Sequence, residues 1–161
     1  MSPADLSAEL VTLLPRLRRF ARALTRNPHD ADDLVQVALE RALARTHQLR
    51  PDAALAAWVF GILRHAWIDE LRSRARREQV FEPEESGLHM GDAGQGAQAE
   101  MLSVQDAMGR LPQDQRLAVV LVLIEGLSYK EAAHVMDVPI GTLTSRLARA
   151  REALKAMLGE S

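Results

Sequence analysis

The residues best placed to do chemistry lie near the C-terminus, where Leu127 to Arg151 reads LSYKEAAHVMDVPIGTLTSRLARAR. Ser128 followed three residues later by Glu131 is a capping box and predicts a helix start. Asp137-Val138-Pro139 predicts a tight turn, with a second helix from about Ile140 to about Leu158. In that second helix Leu143, Leu147, Ala150 and Leu154 recur at i, i+4, i+7 and i+11, so they must face a core. With roughly 100° between successive residues, Ser145, Ala148, Arg149 and Glu152 point directly away from it. Thr142 and Thr144 flank the outward face. A short helix, a tight turn and a second helix with a basic outer face form a helix-turn-helix, a unit that lays its second helix in the DNA major groove. Arg149 is the leading candidate for a base contact, because a guanidinium donates two bonds to one guanine. Arg146 and Arg151 sit beside the core stripe, where they suit phosphates or salt bridges better than bases. A capping box before an apolar helix is common, so this motif alone does not separate DNA binding from an ordinary helical core.

Other chemistries are poorly supplied. The chain has no cysteine, which removes disulfides, a cysteine nucleophile and thiolate metal sites. Its five histidines are scattered without ligand spacing. Asp32 and Asp33 are neighbours on a helix and diverge, so a helix N-terminal or solvated role outweighs a metal pair. A Ser/His/Asp set, a Gly-rich phosphate loop and paired carboxylates are all missing. The expectation is therefore no enzyme, no metal and no cofactor. The N-terminus MSPADLSAEL has neither the basic start nor the apolar core of a secretory signal. The longest apolar run, Leu117 to Ile124, is far short of the roughly 20 residues that span a bilayer. A soluble, cytoplasmic protein without membrane contact is expected.

The elements that must position these residues are helices. The chain has 161 residues, 47 % of them apolar and only 4 % aromatic, and richness in Leu, Ala, Arg and Glu favours an all-α fold. The net charge of −2 hides an uneven distribution. Residues 1–78 lean basic, residues 79–100 hold acids and no Lys or Arg, and residues 101–161 balance. The acidic stretch also contains Pro83, Gly87, Gly91, Gly94 and Gly96 and reads as a flexible linker. It divides the chain into two small helical domains, 1–78 and 101–161, each near the lower size limit for independent folding.

The first domain predicts three helices or more. One covers about Ala4 to Thr25, with a break or restart at Pro15. The next runs from about Asp30 to His47, with Ala31, Leu34, Val35, Ala38, Leu39 and Ala42 inward and Asp33, Gln36 and Glu40 outward. The third, about Ala54 to Arg77, carries two apolar stripes on nearly opposite faces. Leu55, Val59, Ile62 and Ala66 form one; Phe60, Arg64, Trp67 and Leu71 form the other. A surface helix needs only one stripe, so the second must cover another helix or meet a partner. Trp58, Phe60 and Trp67 read as core more readily than as DNA-stacking groups. The second domain predicts helices over Met101 to Gly109 and Asp114 to Glu125, the latter central and ended by Gly126.

At this point a family likeness emerges. GLSYKEAAHVMDVPIGTLTSRLARAREAL resembles region 4 of the bacterial extracytoplasmic-function sigma factors, which usually reads close to GLSYEEIAEILGVPVGTVKSRLHRARERL. DADDLVQVALERAL resembles the region 2 helix that binds polymerase. LAAWVFGILRHAWIDELRSRARR resembles the promoter-melting helix. The three motifs occur in the right order and spacing, and the acidic linker falls where this family has no region 3.

The resemblance implies roles by position. Asp33, Gln36 and Glu40 match the helix that docks on the β′ clamp of RNA polymerase core, and region 4 matches a partner of the β flap. Arg50, Asp52, Arg64, His65, Arg72 and Arg76 match the part that captures the melted minus-ten element. Thr142, Thr144, Ser145, Arg146, Ala148 and Arg149 match the helix that reads the minus-thirty-five element of promoter DNA. The linker matches the segment that threads the RNA exit path, where Glu82, Glu84, Glu85 and Asp92 would mimic nucleic-acid charge. An anti-sigma protein is implied as a further partner. The stretch LPRLRRFARALTRNPHDADDLVQ resembles the subgroup tied to general stress responses. Three positions depart from the pattern: Val37 replaces a common Glu, Thr144 a common basic residue, and Ala148 a larger side chain.

Two other functions fit the same helices. A free-standing helix-turn-helix regulator would bind operators as a dimer, which needs an exposed self-complementary patch. A helical decoy would capture an anti-sigma protein without supporting transcription.

Overall fold

The computed structural model describes residues 2–50, 54–80 and 103–159. Every regular element among them is helical: α1 (Pro3–Thr25), α2 (Pro28–Ala44), a 3-10 turn (Thr46–Gln48), α3 (Leu55–Val80), α4 (Val104–Arg110), α5 (Gln113–Val119), a π-helical segment (Val120–Ile124), α6 (Tyr129–Met136) and α7 (Ile140–Leu158). Asp52 and the acidic residues Glu82, Glu84, Glu85 and Asp92 lie outside the described residues.

Helix α1 starts where Ser2 accepts a bond from the Asp5 amide, with Pro3 pre-set for the first turn. It does not break at Pro15, contrary to the sequence expectation. A proline removes one N–H···O bond and strands the carbonyl four residues back. Here that carbonyl belongs to Val11, which is exposed, so water can satisfy it. Leu10, Leu17 and Phe20 are buried around the proline and hold the axis. Asn27 caps α2 by accepting from the Asp30 amide, and α2 buries Ala31, Leu34, Val35, Ala38 and Ala42 as its spacing requires.

Both stripes of α3 find cover. Val59, Ile62, Ala66, Phe60 and Trp67 are buried, and α3 packs against α1, α2 and also α6. Phe60 meets Phe20 of α1 in a tilted pair with centroids 5.0 Å apart, a favoured aromatic geometry. Leu71 stays exposed.

In the second group α7 packs on α4, α5 and α6. Ser103 caps α4. The expected single helix from Asp114 to Glu125 is instead α5 followed by a π-helical segment, closed by a bond from the Glu125 amide to the Val120 carbonyl at 2.8 Å. The additional residue in that turn rotates the faces that follow. Leu123 and Ile124 consequently face solvent, while Glu125 is buried. Gly126 then turns the chain at φ +76°, a region that costs glycine little.

The two groups share one continuous apolar core, with α1 against α5 and α3 against α6. This is more than tethering by a linker. Each group is small, and docking buries surface that neither covers alone.

Candidate nucleic-acid interface

The helix-turn-helix forms as its spacing requires. Ser128 and Glu131 close a reciprocal capping box at 2.9 and 3.0 Å. Asp137 takes a left-handed conformation, φ 62°, which short polar side chains tolerate. The chain then enters α7. Leu143, Leu147 and Ala150 are buried, and Thr144, Ser145, Ala148 and Arg149 are exposed on the opposite side. Thr142 is half-buried at the flank. The Thr144 hydroxyl donates to the Ile140 carbonyl at 2.9 Å, so its one donor is spent inside the helix and only its acceptor capacity faces outward. Arg146 pairs with Asp114 at 3.4 Å and braces α7 on α5. The salt-bridge reading of Arg146 therefore fits this structure better than a base contact.

On the other group Asp33, Gln36, Val37 and Glu40 share the exposed face of α2. Beside them runs a groove between α2 and α3, lined by Asp30, Asp33, Val37, Arg41, Trp67 and Arg74. Arg50 is exposed before α3. Along α3, His65, Arg72 and Arg76 are exposed and Arg64 is half-buried. The basic run at the end of α3 sorts into two sets. Arg74 bonds Asp30 at 2.9 Å and Glu70 at 2.8 Å and lies over the Trp67 ring at 5.1 Å. Arg77 reaches Glu70 at 3.5 Å. The bonds from Arg74 hold the Glu70 carboxyl below its ordinary pKa despite some desolvation. Arg72 and Arg76 pair with no carboxylate among the described residues.

Residues 10–77 match the family model for Sigma-70 region 2, and residues 101–154 match Sigma-70, region 4. The chain is 39 % identical over 154 residues to the ECF RNA polymerase sigma factor EcfG of Rhodopseudomonas palustris, covering 96 % of this chain and 85 % of that one. It is also 39 % identical over 145 residues to the ECF sigma factor SigM of Mycobacterium tuberculosis, covering 89 % and 72 %. The chain belongs to the ECF sigma factors of RNA polymerase. Among solved structures, the sigma factor RpoE crystallised with the anti-sigma factor NepR from Bartonella quintana matches with a TM-score of 0.78. The two are 35 % identical, and the match spans 96 % of this chain and 97 % of that one.

Regions 2 and 4 of this sigma factor touch through polar groups that the sequence did not single out. The Glu125 side chain has no exposed surface and sits between two arginines of α1. Arg16 Nε donates to it at 2.8 Å, Arg19 Nε at 2.9 Å and Arg19 Nη2 at 3.1 Å. Arg16 Nη2 also donates to the Glu125 carbonyl at 2.9 Å. Burial pushes the Glu125 pKa up, but the bonds from Arg19 and Arg16 outweigh it and hold the carboxyl below its ordinary value. Arg116 is itself buried and donates to the carbonyls of Ala23 and Leu111. Burial, and then the charge of Arg26, lowers its pKa from the usual arginine range. Gln113 donates to the Leu24 carbonyl, and Arg26 to that of Gly109. Two C-terminal carbonyls of α1, those of Ala23 and Leu24, are thereby satisfied from the other region. His65 of α3 lies 3.8 Å from Asp137. The available signals were faint: an Arg16, Arg18, Arg19 cluster on an otherwise amphipathic helix, and an acid ending an apolar run just before Gly126.

No helix among the described residues is long and apolar enough to cross a membrane.

Proposed function

We propose that this sigma factor directs RNA polymerase core to promoters by reading two DNA elements, one with each region. The divisions are 1–78 for region 2, 79–100 for the linker and 101–161 for region 4. The outer face of α7, with Thr144, Ser145, Ala148 and Arg149 opposite its buried leucines, carries the reading. Among the described residues it is the one exposed helix face in a helix-turn-helix setting with a guanidinium at its centre. On this reading Arg149 contacts a base, Thr142 and Thr144 line the flank, and Arg146 holds the helix in place through Asp114. Arg50, Asp52, Arg64, His65, Arg72 and Arg76 serve the minus-ten element, where pocket and stacking contacts offset the cost of unstacking a base. Asp33, Gln36 and Glu40 dock on the β′ clamp, their acidic face being suited to a basic surface, and region 4 meets the β flap.

The chain performs no catalysis of its own on this proposal, needs no cofactor and acts in the cytoplasm. The likeness to a sigma factor solved with an anti-sigma protein supports an anti-sigma partner here. A role in a stress response rests on the resemblance of residues 14–36 alone. Replacing Arg149 by Ala removes the bidentate donor and should cost about 1–3 kcal/mol in promoter discrimination. Run-off transcription over promoters differing at single minus-thirty-five positions checks this. Unchanged promoter choice would remove Arg149 from base reading.

A further inference from the structure

We propose that Arg74 is a positioning residue: anchored on Asp30 of α2, it braces the basic end of α3 so that His65, Arg72 and Arg76 present a single face to the melted minus-ten strand. The inference rests on the minus-ten reading above and concerns residues outside it, which act without touching DNA.

Helix geometry sets the face. His65, Arg72 and Arg76 stand at i, i+7 and i+11, so with about 100° between successive residues they lie within roughly 40° of one another. They are all exposed, and the row they form is about 16 Å long at the helical rise. Arg74 lies about 160° from both Arg72 and Arg76. Holding Arg74 against α2 therefore turns the row away from α2. Apolar packing does not do this. Among the described residues α3 buries no apolar side chain beyond Trp67. The stretch from Asp69 to Gln79 is polar apart from Leu71 and Ala75, which are exposed. About three turns of helix with no packed face are unstable by themselves and fray in water.

Arg74 ties this end down. Its Nη2 donates to Asp30 Oδ1 at 2.9 Å and its Nη1 to Asp30 Oδ2 at 3.4 Å, while Nε donates to Glu70 at 2.8 Å. The guanidinium also lies over the Trp67 ring at 5.1 Å. It thus grips a second helix, its own helix and an aromatic face together, a geometry that needs a planar fork and that an ammonium does not reproduce. The bonds to Asp30 and then Glu70 raise the Arg74 pKa above the ordinary arginine range despite some burial, so the brace is charged at any working pH. Nearer the core, Arg41 of α2 donates to Asp69 of α3 at 3.0 Å. Beyond that pair, the bonds to Asp30 are the last from α3 to another helix among the described residues. Arg77 reaches only Ser73 and Glu70 of α3 itself.

The experiment compares Asp30→Asn, Arg74→Gln and Arg74→Lys in the full chain, with core polymerase saturated by sigma, on a promoter probe that is single-stranded at the minus-ten element. Asp30→Asn removes a negative charge near the DNA. If Arg74 served only as a phosphate contact, that change would leave binding equal or tighter. The brace predicts weaker binding, by roughly three- to tenfold for Asp30→Asn and for Arg74→Gln, from one partly exposed ion pair and one cation–π contact. The Asp30→Asn, Arg74→Gln double variant should be no worse than Arg74→Gln, because both remove the same contact. Arg74→Lys keeps the charge without the fork and should recover little. Amide hydrogen exchange on the free chain reads the brace itself: residues 72–79 should exchange several-fold faster in Asp30→Asn and Arg74→Gln, with α1 unchanged. Parent-like or tighter binding by Asp30→Asn, full binding by Arg74→Lys, or unchanged exchange at residues 72–79 would each overturn the proposal. Arg72→Ala with Arg76→Ala separates it from the reading beneath. Loss of binding in that variant, with parent-like Asp30→Asn and Arg74→Gln, removes the positioning role alone. Parent-like binding in that variant refutes the minus-ten reading of α3 and the proposal with it.

Discussion

Glu125→Ala isolates the polar centre of the contact between the regions. The substitution removes three side-chain hydrogen bonds, two of them from Arg19 and one from Arg16. The bond from Arg16 to the Glu125 carbonyl survives. Removing one member of a fully buried ion pair costs about 3–5 kcal/mol, because the partner is stranded. Here the partners keep 32 % and 51 % of their side-chain exposure and rehydrate. The desolvation penalty of the carboxylate is also relieved. The expected loss is therefore about 2 kcal/mol, near the value of a single hydrogen bond to a charged group. In a chain of this size that lowers the melting temperature by about 4–8 °C. Thermal unfolding followed by circular dichroism at pH 7 measures it. The pH dependence gives a second check. The Glu125 carboxyl is held below its ordinary value near 4.5, so its contribution is complete above that pH. As pH falls below it, the unfolded chain binds the proton first. The gap between parent and variant should hold from pH 7 to 5 and close as pH drops through the folded-state value. A melting temperature within 1 °C of the parent at pH 7, or a gap that widens in acid, would refute the reasoning.

Two further outcomes follow from other parts of the structure. Ser128→Ala removes one half of the capping box at the start of α6 and should cost about 1 kcal/mol, seen as a lower urea midpoint with an unchanged slope. Asp33→Lys with Glu40→Lys reverses two exposed charges on α2. It should weaken binding to polymerase core by an order of magnitude or more in a fluorescence titration while leaving the melting temperature within about 1 °C. Equal affinity would remove that face from the proposed docking surface.

Much of this architecture was legible because it rests on local rules. The outward and inward faces of α7 follow from the spacing of Leu143, Leu147 and Ala150 alone. The capping box of Ser128 and Glu131, the turn at Asp137 and the stop at Gly126 lie where their residue types put them. The double stripe of α3 correctly required a second cover, and α6 supplies it. The errors arose where a distant partner overrides a local rule. Pro15 is a helix breaker by rank, yet its stranded carbonyl reaches water and its neighbours are pinned by the core. The run from Leu117 to Ile124 has the composition of a plain buried helix, and nothing local marks the π-helical turn that exposes Leu123 and Ile124. The Arg16–Glu125–Arg19 cluster joins residues more than a hundred positions apart, which no periodicity reveals. The roles proposed for Thr144, Ala148 and Arg149 rest on helix geometry and resemblance together.

The central claim is that this chain selects promoters for RNA polymerase. It is tested most directly by run-off transcription with bacterial core polymerase over a promoter library, with and without the chain. The account predicts initiation from a defined subset only when the chain is present, with a shared pair of sequence elements among the promoters that fire. No initiation from any promoter, together with no binding to core polymerase, would contradict it.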